Sequence, residues 1–197
     1  MFIQVFQGKV TDADLVRRMD ERWIAEIKPG AKGYLGYTGG ITPDGRYIGL
    51  ARFESADAAQ ANSDSPEQTA WWNEAVKGFE GEPTVHDCTE VDTPFGGGSD
   101  TAGFVQVIQG RAKDPAKLRS MGNDRQAELR AARPDILGMV IAWHGDGKDF
   151  TQAVYFTSEA ETRQLEKDSE SSEMRQEYDD MFEGQPTFFD LPNPLLD

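Results

Sequence analysis

The hexapeptide Phe79-Glu80-Gly81-Glu82-Pro83-Thr84 returns 103 positions later as Phe182-Glu183-Gly184-Gln185-Pro186-Thr187. Gln4-Val5-Phe6-Gln7-Gly8 returns 102 positions later as Gln106-Val107-Ile108-Gln109-Gly110, so a one-residue insertion separates two copies of one unit. Such units are far longer than the roughly 20–50-residue repeats of solenoids and propellers, which points to two globular half-domains. The boundaries expected are residues 1–89 and 103–197, with the aperiodic, glycine-rich segment 90–102 as a flexible linker. Its Gly96-Gly97-Gly98 is followed by no Gly-Lys-Ser/Thr, so it reads as linker rather than phosphate loop.

Each copy reads strand, helix, strand, strand, helix, strand. In the first, residues 2–8 form a short apolar strand ended by Gly8. Thr11 or Asp12 can cap a helix whose Leu15, Met19, Trp23 and Ile27 make one stripe, stopped by Lys28-Pro29-Gly30. Residues 33–42 and 46–54 form a hairpin across Pro43-Asp44-Gly45. A helical region broken at Ser65-Pro66 and a last strand over Pro83–Cys88 complete the copy. The second copy predicts strands near 103–110, 136–144, 150–157 and 186–190, and helices near 114–132 and 158–183. Glu166–Glu173, without an apolar residue, reads as a solvated helix turn or loop.

Along the first strand, Phe2 and Phe6 alternate with Ile3 and Val5, and Phe104 and Ile108 alternate with Val105 and Val107. Both faces of each sheet are therefore apolar, and helices can cover only one. The expectation is α+β, with two tandem ferredoxin-like βαββαβ units packed sheet to sheet as an intrachain pseudo-dimeric α+β barrel.

The net charge of −15 divides as −7 over residues 1–98 and −8 over 99–197. A uniformly acidic surface disfavours nucleic acid and anionic membranes as partners. A single cysteine, Cys88, excludes an intrachain disulfide and multi-cysteine metal sites. Without a leader-like start or a spanning apolar run, a soluble cytoplasmic protein is expected. His86-Asp87-Cys88 alternate across a strand, so no metal site is expected there.

The element order resembles the dimeric α+β barrel superfamily, which includes antibiotic-biosynthesis monooxygenase-like proteins and haem-degrading monooxygenases. Asn62-Ser63-Asp64-Ser65-Pro66-Glu67-Gln68 followed by Trp71-Trp72-Asn73 is similar to the second-helix region of functionally uncharacterised members. The resemblance implies a pocket for a small apolar or aromatic molecule, and a cofactor-independent monooxygenase-like reaction in which the substrate itself is the reductant. Candidate ligand-binding residues are Trp71, Tyr34, Tyr37, Asn62, Asn73, His86 and Arg52, with no cofactor and no metal. Trp72 is expected in the core, and Trp71 at a pocket edge. Gln4 and Gln106 are expected to bond between strands or across a sheet interface. The alternative is a non-catalytic structural or stress-related domain. A haem protein is a lesser one, because haem-degrading relatives use a helical histidine whereas His86 falls on a strand.

Overall fold

The computed structural model describes residues 1–169 and 173–197. The expected solvated stretch Glu166–Glu173 is helical at both ends, and its residues 170–172 lie outside the described residues. The chain divides into one unit of residues 1–89 with 195–197, and a second of residues 90–194.

In the first unit, β1 (Phe2–Lys9), β2 (Tyr34–Ile41), β3 (Arg46–Phe53) and β4 (Thr84–Cys88) are joined by β10 (Leu195–Leu196) in the antiparallel order β10-β2-β3-β1-β4. Helices α1 (Ala13–Arg22), α2 (Ala56–Ser63) and α3 (Pro66–Ala75) lie in the connections. Their starts follow from capping chemistry. Asp12, Ser55 and Ser65 accept from the backbone N–H groups of Leu15, Ala58 and Gln68, and Pro66 takes the first helical position, where its missing N–H costs nothing. The single helix expected through Ile27 instead changes at Arg22 to a π turn over Trp23–Ile27, then to a 3₁₀ turn over Lys28–Gly30.

The second unit repeats the plan with β6 (Phe104–Arg111), β7 (Ile136–His144), β8 (Asp149–Phe156) and β9 (Thr187–Leu191), and β5 (Glu90–Asp92) at the edge, in the order β5-β7-β8-β6-β9. Its helices are α4 (Pro115–Asp124), α5 (Gln126–Ala132), α6 (Glu159–Ser169) and α7 (Glu173–Asp179). The duplication holds to the level of register. The first hairpin slips between Tyr34 and Gly36, the second between Ile136 and Gly138. Gln4 faces Asp87 and donates to it at 3.0 Å; Gln106 faces Asp190 and donates to it at 2.9 Å. The retained amides thus bond between neighbouring strands within each sheet.

Segment 90–102 is not the flexible linker expected. Glu90–Asp92 pairs with β7, Phe95 is 6% exposed within the second unit's core, and the Arg130 guanidinium lies 4.8 Å from its ring centroid. Residues 195–197, assigned with 103–194 in the sequence, complete the first sheet: Tyr37 N–H donates to Asp197 O at 2.6 Å and Asp197 N–H to Tyr37 O at 3.0 Å. Strands of two or three residues lack the alternation that announces longer ones, so neither was visible in the sequence.

Both faces of β1 are buried, with Phe2 at 5% exposure and Ile3 and Val5 at 0%. On the helix side the two units part. The second is filled by Ile141, Phe150, Gln152, Val154, Leu118 and Met121. At the matching register positions of the first stand Gly39, Tyr47, Gly49 and Ala51. Gly39 and Gly49 are cross-strand partners, and a Cβ on either would overlap the Tyr37 hydroxyl, so the Tyr37 ring lies across them. Gly49→Ala is expected to lower stability by about 1–3 kcal/mol through that clash; urea unfolding of the purified variant checks it.

Candidate functional site

The helix side of the first sheet lines a pocket of about 80 Å³ that opens to solvent. The sheet supplies Gln4 and Phe6 from β1, Tyr37 from β2, and Tyr47, Ala51 and Phe53 from β3. These share one face because directly paired strand residues, such as Gln4 with Ala51 and Ala51 with Tyr37, point the same way. The roof comes from Val16, Met19 and Asp20 of α1, Trp23 and Ile24 of the π turn, Asn62 of α2, and Gln68, Trp71 and Trp72 of α3.

Tyr34 and Phe6 extend the aromatic lining. Tyr34 lies 4.8 Å from Trp23 and Phe6 5.7 Å from Trp72, centroid to centroid. Polar tips hold the roof together: the Trp71 indole N–H donates to Met19 O at 2.7 Å, tying α3 to α1, and the Trp23 indole N–H donates to Gln68 Oε1 at 2.7 Å. The wide π turn sets Trp23 and Ile24 over the cavity; such turns recur at functional sites. At the rim, Tyr34 Oη donates to Asp197 Oδ2 at 2.9 Å, and Lys28 pairs with Oδ1 of the same carboxylate.

Of the residues singled out in the sequence, Trp71, Tyr34, Tyr37 and Asn62 border this pocket. Trp72, expected in the core, also borders it and is half-buried. Asn73, His86 and Arg52 are not among the lining residues. Asn73 is exposed beside a shallow groove with Val76 and Lys77. His86 sits on β4 opposite Val5, on the other face of β1 from Gln4 and Phe6. Arg52 lies between pocket-facing Ala51 and Phe53, so strand alternation turns it to the opposite face, where it donates to Thr38 Oγ1 at 2.9 Å and to Asp197 O at 3.1 Å. Among the described residues, no group of three or more His, Cys, Asp or Glu could hold a metal ion, and no helix is long and apolar enough to cross a membrane.

Sequence reading missed Asp20. Its carboxylate accepts from Tyr47 Oη at 3.0 Å, and Tyr47 shares a short hydrogen bond with Tyr37. Burial raises the Asp20 carboxyl to about 7, against the opposing pull of the Tyr47 hydrogen bond and with the help of neighbouring Glu21. Burial also holds the Tyr37 and Tyr47 hydroxyls well above the ordinary tyrosine range. The signal available was divergence between copies: at the same distance beyond the helix cap Asp114 stands Gly122, and Tyr47 is matched by Phe150.

Comparison with protein-family models gives no match, and comparison with curated proteins gives none. Solved structures match across the chain. A Lactobacillus acidophilus protein designated a candidate monooxygenase aligns with 96% of this chain and 92% of its own, at TM-score 0.69 and 14% identity. A Fusobacterium nucleatum protein with the same designation aligns with 96% and 90%, at TM-score 0.70 and 9% identity. An anthrone oxidase-like protein aligns with 99% and 93%, at TM-score 0.68 and 11% identity. At these identities the likeness establishes the fold alone, two tandem ferredoxin-like α+β units.

The raised Asp20 carboxyl has a thermodynamic consequence. A folded-state value above the unfolded one favours folding while both states are protonated, and that stability is lost as pH rises from about 4 to about 7. Asp20→Asn removes the titration. Relative to the parent, this variant is therefore expected to gain up to roughly 4 kcal/mol between pH 4 and pH 8, checked by chemical denaturation at both pH values.

Proposed function

We propose that the first unit binds a small, flat aromatic molecule in the pocket beneath α1 and α3, and that the protein acts there as a cofactor-independent monooxygenase-like enzyme. The observation that carries this reading is the pocket itself. Its lining is aromatic and aliphatic, with polar atoms confined to a few positions: the Tyr37–Tyr47–Asp20 series, Gln4, Asn62 and Gln68. Ligand sites of this kind bind by apolar contact and orient by few polar groups. The likeness in fold to an anthrone oxidase-like protein suggests the substrate class, a polycyclic aromatic whose ring methylene is conjugated through the fused rings with a carbonyl.

For such a substrate the chemistry needs little from the protein. Loss of a methylene proton leaves a carbanion stabilised as an enolate. The carbanion gives its electrons to dioxygen, forming a carbon–oxygen bond, and the resulting peroxide takes up a proton. Loss of water then leaves a carbonyl, so that CH₂ and O₂ become C=O and H₂O. The substrate is the reductant and dioxygen the oxidant. What the site contributes is shape, exclusion of water and hydrogen bonds to the enolate oxygen, for which the lining carries the Asn62 amide and the second N–H of Gln4, whose other N–H goes to Asp87.

Titration with anthraquinone is expected to quench the fluorescence of the pocket tryptophans saturably. Ala51→Phe, which projects a ring into the cavity from the sheet floor, is expected to weaken binding by more than about tenfold, about 1.4 kcal/mol, while the melting temperature changes little. Quenching that is unaffected by Ala51→Phe would place the ligand elsewhere and contradict the reading.

A further inference from the structure

Two hydroxyls and one carboxylate stand in series along the pocket wall. Tyr47 Oη donates to Asp20 Oδ1 at 3.0 Å, the Tyr37 and Tyr47 hydroxyls are hydrogen-bonded, and all three residues line the cavity. An ionised carboxylate only accepts. The Tyr47 hydrogen is therefore committed to Asp20 and the Tyr37 hydrogen to Tyr47, which leaves Tyr37 Oη as an acceptor. The register positions of the second unit carry Met139 for Tyr37 and Phe150 for Tyr47, and neither can take part in such a series.

We infer that Asp20, Tyr47 and Tyr37 form a proton-accepting relay for the bound molecule, and that this molecule presents an acidic O–H or a carbonyl-activated C–H to Tyr37. The inference rests on the reading of the pocket as an aromatic-ligand site. In the transfer, the ligand's bond to hydrogen breaks and its electron pair stays on the ligand. The ligand proton goes to Tyr37 Oη, the Tyr37 proton to Tyr47 Oη, and the Tyr47 proton to Asp20 Oδ1. Asp20 ends neutral, both tyrosines end as neutral phenols, and the ligand ends as the anion that reacts with dioxygen.

The surroundings suit these roles. Phenols held well above their ordinary range pass protons on without holding charge, and a carboxyl near 7 is a base matched to near-neutral pH. The ionisable groups acting on Asp20 are Tyr47 from β3 and Glu21 from its own helix; those acting on Tyr37 are Asp20, Tyr47 and Tyr34. From α3, the pocket-lining Gln68, Trp71 and Trp72 bring no charge.

The test uses the full chain, with anthraquinone as binding probe and anthrone plus dioxygen as reacting probe. Asp20→Asn and Tyr47→Phe are each expected to keep saturable quenching by anthraquinone, since apolar contact carries that binding. Their rates of oxygen consumption at pH 8 are expected to fall by about 10²–10⁴-fold, and the parent's rise in rate through about pH 7 is expected to vanish. Parent-like rates and pH profiles in both variants overturn the relay and leave the ligand site standing. A parent that binds anthraquinone without consuming oxygen on anthrone also overturns the relay. Failure of the parent to bind anthraquinone overturns the ligand reading, and the relay with it.

Discussion

The first unit is organised around one tyrosine lying flat on two glycines. Tyr37 can cross the sheet to reach Tyr47 only because Gly39 and Gly49, paired on adjacent strands, present no side chain beneath it. Beta-strands tolerate glycine poorly, since it adds backbone entropy to be lost and offers nothing to pack. Two facing each other in the middle of a sheet are a local cost that the ring of Tyr37 partly offsets by covering the bare backbone. The same arrangement keeps the floor of the pocket low and carries a polar atom to its wall. Ala51, next on that face, continues the shallow floor.

The second unit shows what the same scaffold becomes when those positions are filled. Ile141 and Gln152 stand where the glycines are, and Val154 where Ala51 is. Gln152 is 3% exposed, with its amide 3.2 Å from Met139 Sδ and its carbonyl accepting from Tyr178 Oη at 3.3 Å. On this shared register a few side chains decide whether the helix-facing sheet surface is filled, as by Ile141, Gln152 and Val154, or left low, as by Gly39, Gly49 and Ala51.

Much of the fold was legible because duplication prints the register twice: offsets of 102 and 103 align the strands, the hairpin turns and the Gln4 and Gln106 ladders. The edge strands Glu90–Asp92 and Leu195–Leu196 were not legible, because pairing there depends on backbone groups rather than on a side-chain pattern. The site was legible in part. Of the residues singled out in the sequence, the large amphipathic Trp71, Tyr34 and Tyr37 border the pocket, whereas strand parity turns Arg52, one residue from both Ala51 and Phe53, and His86 away from it. Asp20 was hidden for a different reason. An acidic residue in a helix rich in charge reads as solvated surface, and only the fold brings Tyr47 to it.

Crystals of the protein pressurised with xenon offer the most direct measurement of the difference between the units, since xenon enters apolar voids and is excluded from close-packed interiors. Xenon density bounded by Tyr37, Ala51 and Trp71, with none between β8 and α4, is the result expected. Density in the second unit, or a first unit whose tryptophans have closed onto the sheet and exclude the gas, would contradict the account.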